Sequence, residues 1–142
     1  DTDANLNTAQ SSLNYPLLRY ADILLLYAEA ANEAEGRPSM DAYNCVNEIR
    51  QRAGLQLLSG LSQSQFREAV WKERYHELAD ENKIWFDMAR TRKVLNLKTG
   101  AFDDYVGHQF TYGPILQEKD LLFPIPTSEI NSNENLNQNL GY

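Results

Sequence analysis

An all-α fold, built from packed helical hairpins and ending in an irregular, loop-rich C-terminal segment, is predicted by three features of the sequence. Apolar residues recur at steps of three and four from Leu17 to Val94. Polar caps and Gly or Pro stops punctuate that stretch at helix-length intervals. Beyond Leu95 the period disappears into sequence rich in Gly, Pro and Asn. The length of 142 residues fits one domain, and 42% hydrophobic with 11% aromatic residues is enough to fill its core. Residues 1–13, polar and without apolar period, read as a flexible leader; residues 14–142 read as a single helical domain.

The first helix is expected to begin near Asn14, with Pro16 in its first turn and Leu17, Ala21, Leu24, Ala28 and Ala31 along one face. Tyr20, Tyr27 and Ala34 widen that face, which predicts packing on more than one side. Gly36 supplies a left-handed stop and Pro38 prevents continuation. A second helix opens at Ser39 as N-cap with Asp41 in its first turn; Ala42, Val46, Ile49 and Ala53 face inward, Glu48 and Arg52 pair outside, and Gly54 closes it. The third begins with Ser62 and Gln65 as a capping box and Leu61 and Phe66 as a hydrophobic staple. It carries Val70, Trp71, Tyr75 and Leu78 inward, with Glu68 and Lys72 as an exposed pair. The period falters at Glu81–Asn82, where Asn tolerates left-handed backbone, and a fourth helix is expected over 84–94.

Residues 99–114 hold Phe102, Tyr105, Phe110 and Tyr112 among glycines and read as a long loop or short strands, a type of segment that often carries function. Leu121 to Pro126 is extended ahead of its prolines, one turn follows at Thr127–Ile130, and an Asn-rich tail closes the chain. A second tetratricopeptide copy about 34 residues after Gly36 and Ala42 would need matching residues near Val70 and His76, and they do not match.

The 13 basic and 20 acidic residues leave a net charge of −7, which opposes nucleic acid and anionic membrane surfaces. The lone Cys45 excludes an internal disulfide and a Cys-built zinc site, and its place in a helical pattern reads as a small buried hydrophobe. Ile23–Leu26 is far short of the ~20 apolar residues of a membrane span, and the polar start lacks a signal peptide's apolar region.

His76-Glu77-Leu78-Ala79-Asp80 lacks the second imidazole of a zinc-protease helix, so no metal or other cofactor is expected. Glu29 with Glu33, and Glu73 with Glu77, share helix faces at a proximity that suits paired glycosidase carboxylates, but arginines such as Arg19, Arg50, Arg74 and Arg90 are their simpler partners. No phosphate loop or nucleophile elbow is present, and the chain reads as non-enzymatic. Rings with a polar edge stack against sugars, and Tyr105, His108 and Tyr112, in the Gly-rich loop, are the candidate ligand contacts. Trp71, Tyr75 and Trp85 read as core.

Four collinear segments resemble the C-terminal portion of the SusD/RagB family of nutrient-binding outer-membrane lipoproteins. They are Tyr15-Pro16-Leu17-Leu18-Arg19-Tyr20-Ala21-Asp22 running to Glu33; Val46-Asn47-Glu48-Ile49-Arg50 to Leu55; Glu73-Arg74-Tyr75-His76-Glu77 with Trp85-Phe86-Asp87-Met88-Ala89-Arg90; and Leu122-Phe123-Pro124-Ile125-Pro126 through Gly141-Tyr142. The family's usual Gly stands as Asn82, its additional basic residue as Ala89 and its Pro as Leu140. The lipidated cysteine and tetratricopeptide-like helices of the longer family members are not recognisable here, which implies a C-terminal fragment or an engineered domain of a longer lipoprotein.

The resemblance implies a non-catalytic component that captures glycans or other nutrients for a SusC-like TonB-dependent transporter. It implies location at the outer-membrane cell surface, through a lipid anchor absent from this chain. It also implies that Arg19, Asp22, Glu29, Asn32, Glu33, Arg50, Glu77, Asp87 and Arg90 form a structural network of charges, because a buried unpaired charge costs several kcal/mol. A helical protein-interaction scaffold is the alternative reading and a glycoside hydrolase the third.

Overall fold

A computed structural model describes residues 16–142, so the leader expected over 1–13 and the helix start expected at Asn14 lie outside the described residues. The chain is mostly helical and forms two compact units, Asp1–Lys83 and Ile84–Tyr142.

The first unit contains α1 (Tyr20–Glu35), α2 (Met40–Arg52) and α3 (Gln63–Glu77), with α1 packed against both of the others. Pro16 is not in the first turn of α1. Arg19 is the N-cap in extended conformation, and the Lys83 ammonium donates to the Leu17 carbonyl at 2.7 Å, so long-range partners hold 16–19 out of the helix. Gly36, at φ +69°, ends α1 in the left-handed conformation that a side chain would strain. Ser39 caps α2 by accepting from Ala42 N–H at 3.2 Å, and Ser62 and Gln65 complete the capping box of α3.

Leu25, Ala28, Ala42, Val46, Phe66 and Val70 are fully buried at the centre of this unit. Each buried larger side chain contributes about 1.5–3 kcal/mol. Tyr43 packs edge-on against Phe66 at 4.9 Å, and its hydroxyl accepts from Leu61 N–H at 2.7 Å, tying the α2–α3 connection to the core. Ala53, expected inside, is exposed because it caps the helix beyond its last inward turn. Tyr20 and Tyr27 are likewise exposed along α1, and Cys45 is half-buried against the core.

The second unit contains α4 (Ile84–Thr91), β1 (Lys93–Leu95), β2 (Phe102–Asp104), a 3-10 turn (Glu118–Leu121) and α5 (Thr127–Ser132). Asp80 (φ 64°) and Asn82 (φ 56°) make the break before α4, as the faltering period predicts. The helix expected to reach Val94 stops at Thr91, because Arg92 turns left-handed (φ 59°) and sends Val94 into an antiparallel pair with β2. Met88, Val94, Tyr105 and Leu116 form the core of this unit, with Ile84, Trp85, Phe110 and Leu121 packed around it.

Candidate functional site

Several charged residues of the first unit are tied to one another across the helices. Arg19 donates to Glu81 at 2.7 Å and to Glu77 at 3.0 Å, and these carboxylates, Glu81 first, push its guanidinium further up. Asp22 and Arg74, both buried, pair at 2.8 Å, and Lys83 approaches the second Asp22 oxygen at 3.4 Å. Arg50 donates to Glu73 at 2.6 Å and Trp71 Nε1–H to Glu29 at 2.8 Å. Arg67 pairs with Glu33, lowering that carboxyl below its ordinary range. The fully buried Asn32 donates from Nδ2 to Glu33 and to the Gln63 carbonyl.

Burial pushes the Glu77 carboxyl up, but hydrogen bonds from Arg52 and Arg19 outweigh it and the net shift is downward. Arg52 reaches Glu77 rather than Glu48, its expected neighbour on α2. Thus each of the carboxylates considered for glycoside hydrolysis, Glu29, Glu33, Glu73 and Glu77, is held by an arginine or the Trp71 indole. In the second unit, Asp87 and Arg90 pair at 2.8 Å along α4. His76 is exposed on α3 beside Tyr75. Among the described residues, no three His, Cys, Asp or Glu side chains converge as metal ligands would, and no helix is long and apolar enough to cross a membrane.

The loop of the second unit grows from the β1–β2 hairpin. Asn96 organises its turn, with its Oδ1 accepting from Lys98 N–H at 3.0 Å and its backbone carbonyl from Gly100 N–H at 2.7 Å. Past β2, Gly107 (φ 91°) donates to the Leu116 carbonyl at 2.8 Å, and Leu116 donates to the His108 carbonyl at 3.0 Å. Gln109 Nε2 closes the following turn on the Gly113 carbonyl at 2.6 Å.

This folding separates the three sequence candidates. Tyr105 is 1% exposed, its ring edge-on to Trp85 and its hydroxyl donating to the Asp120 carbonyl at 2.8 Å. Burial raises the Tyr105 phenol above its ordinary range. Tyr112 is fully exposed at the turn. The His108 side chain is 8% exposed, stands edge-on to Phe110 at 5.0 Å, and places Nδ1 3.0 Å from Asp103 Oδ2.

Asn96 Nδ2 donates to the same Asp103 oxygen at 2.9 Å. The Asn96 and His108 bonds hold the Asp103 carboxyl below its ordinary range, so it is ionised and His108 Nδ1 carries the donated proton. Asn96, Asp103, Asp104, His108 and Gln109 line a cleft of about 380 Å³. Sequence reasoning found His108 but not Asp103 or Asn96. Their link depends on the hairpin register that pairs Val94 with Asp103, a register carried by a strand pair of three residues each.

Comparison with known proteins places these features in context. The SusD family's sequence model matches residues 1–142. The chain is similar to SusD-like protein P2 of Formosa agariphila, with 34% identity over 96% of this chain and 27% of the relative. A SusD superfamily protein from Parabacteroides distasonis has a solved structure that superposes with a TM-score of 0.90 at 48% identity, covering 96% of this chain and 29% of that one. The surface glycan-binding protein A of Bacteroides uniformis superposes at 0.70 with 28% identity, over 89% of this chain and 27% of its own. The chain spans about a quarter of the length of the curated relatives it matches.

Proposed function

The chain belongs to the SusD family, and from that premise we propose that residues 14–142 are the C-terminal portion of a glycan-binding component of an outer-membrane uptake system. The observation that carries this reading is the family match across the whole chain, and the likeness to a surface glycan-binding protein favours glycans among nutrients. The component captures its ligand without cleaving it, and the engagement of the four helical glutamates by arginines and Trp71 supports that role. Its partner is a SusC-like TonB-dependent transporter, and its place is the cell surface, held by a lipid anchor. The charged network of the helices is structural, and the 99–114 loop is the part of this chain that meets ligand, through His108 and Tyr112. Tyr105, in the same loop, has its ring buried edge-on to Trp85 and away from solvent.

Calorimetry of the full-length protein against an oligosaccharide panel, with chromatography of the recovered sugars, tests the reading. Binding with every sugar recovered intact is expected; absence of any saccharide binding, or turnover, overturns it. Co-purification of a TonB-dependent transporter tests the partnership. A protein-interaction scaffold is favoured by the exposed Tyr20, Ile23 and Tyr27 on α1, spaced at helical intervals. Capture of a protein with no sugar bound would promote it.

A further inference from the structure

We propose that the cleft between the β1–β2 hairpin and the His108 segment is a subsite for a neutral saccharide, recognised through its hydroxyl donors and closed to uronate or sulfated sugars. The proposal rests on the glycan-binding reading above and gives that ligand a charge class and a location. The cleft, at about 380 Å³, falls within the roughly 300–1,000 Å³ of small-molecule sites.

Its side-chain hydrogen-bonding capacity is weighted to acceptors. Most donors are committed: one Asn96 Nδ2 N–H to Asp103, both Gln109 Nε2 N–H groups to the Phe110 and Gly113 carbonyls, and His108 Nδ1 to Asp103. Beside the second Asn96 N–H, what is left toward a ligand is mainly acceptors. Asp103 Oδ1, the second oxygen of Asp104 and Gln109 Oε1 take no hydrogen bond from a described residue. His108 Nδ1 is taken up by Asp103 Oδ2, and Lys93 holds the other Asp104 oxygen.

A surface of acceptors selects a ligand that supplies donors, and neighbouring sugar hydroxyls can donate as a pair to one carboxylate. The same surface repels an anion. Lys93, the cation nearest the carboxylates on the paired strand, is neutralised by Asp104, and the chain as a whole carries −7. The Asp103 carboxyl, held ionised by Asn96 and His108, keeps this repulsion in place at neutral pH. Metal binding is a weaker account of the same oxygens, since Asp103, Asp104 and His108 line the cleft without converging, and no three His, Cys, Asp or Glu side chains among the described residues meet in ligand geometry.

The test titrates the isotopically labelled full-length protein with neutral gluco-, manno-, xylo- and galacto-oligosaccharides and with hexagalacturonate, following the His108 imidazole and Gln109 carboxamide signals by NMR. A neutral oligosaccharide is expected to move both signals, and hexagalacturonate neither. Asp103→Asn and the more exposed Asp104→Asn are each expected to weaken that binding by about tenfold or more, the effect of one charge-assisted hydrogen bond. Asp104→Asn serves as the independent variant should Asp103→Asn disturb the hairpin. Neutral sugar bound with the His108 and Gln109 signals unmoved overturns this subsite while leaving the glycan-binding reading intact. Movement by hexagalacturonate instead overturns the charge class. No saccharide binding at all overturns both.

Discussion

Gln138 serves Ile125 as a neighbouring strand would: its Oε1 accepts from the Ile125 N–H at 2.8 Å and its Nε2 donates to the Ile125 carbonyl at 2.9 Å. Asn139 adds a donation to the Phe123 carbonyl at 2.6 Å, and the Tyr142 hydroxyl one to the Leu122 carbonyl at 3.0 Å. An extended segment between prolines has no helix or sheet to satisfy its backbone, and carboxamides carry a donor and an acceptor on one plane. The Asn- and Gln-rich ending of the chain thus supplies the partners that the Leu122–Pro126 strip lacks.

Replacing Gln138 with Glu should keep the acceptor, lose the donor and set a carboxylate against the Ile125 carbonyl. The expected cost is about 1–2 kcal/mol, confined to this strip. Hydrogen exchange at the Ile125 amide should accelerate about tenfold or more, while amides of the first unit stay unchanged.

The Asp22–Arg74 pair is buried on both sides, so removing one partner leaves a charge without compensation. Asp22→Ala should destabilise the first unit by about 3–5 kcal/mol. Replacing both residues with apolar side chains of similar volume should recover most of that loss, as read by denaturant midpoints of the two variants.

Helix boundaries were legible wherever they depend on neighbours in sequence. Ser39, the Ser62–Gln65 box, Gly36 and the Asn82 break each act within one turn, and each stands where the pattern places it. The helical arginines were legible as carboxylate partners, but their pairings were not. Arg74 and Asp22 are 52 residues apart, and Arg52 prefers Glu77 on another helix to Glu48 on its own. The hairpin was hidden for a related reason: Val94 continues an apolar period of α4, and only the left-handed Arg92 redirects it. The candidate cleft inherits that difficulty, since Asp103 meets Asn96 and His108 only after the strands pair.

Glu77 predicts an acid-sensitive first unit. Its folded carboxyl lies below the ordinary value of 4.5 because the Arg52 and Arg19 bonds outweigh burial. A depressed folded value means the unfolded chain takes up the proton first. The stability that Glu77 contributes is therefore complete above about pH 5 and is lost as pH falls through the folded value. Denaturation midpoints taken from pH 7 to pH 3 should fall for the natural chain, and fall less steeply for Glu77→Gln, which starts lower at pH 7.

Tyr105 and Tyr112 should behave oppositely, although both are loop tyrosines. Tyr105 is buried with its hydroxyl donated to Asp120, whereas Tyr112 is fully exposed. Tyr105→Phe should cost about 1 kcal/mol through the lost hydrogen bond, and Tyr105→Ala about 3–5 kcal/mol through the cavity left beside Trp85. Tyr112→Ala should leave the melting curve within about 0.5 kcal/mol of the natural chain. A fall in ligand affinity in Tyr105→Ala would therefore carry a folding contribution. The same fall in Tyr112→Ala, with near-UV circular dichroism unchanged, would report a direct contact, so the two variants measured together separate loop architecture from ligand recognition.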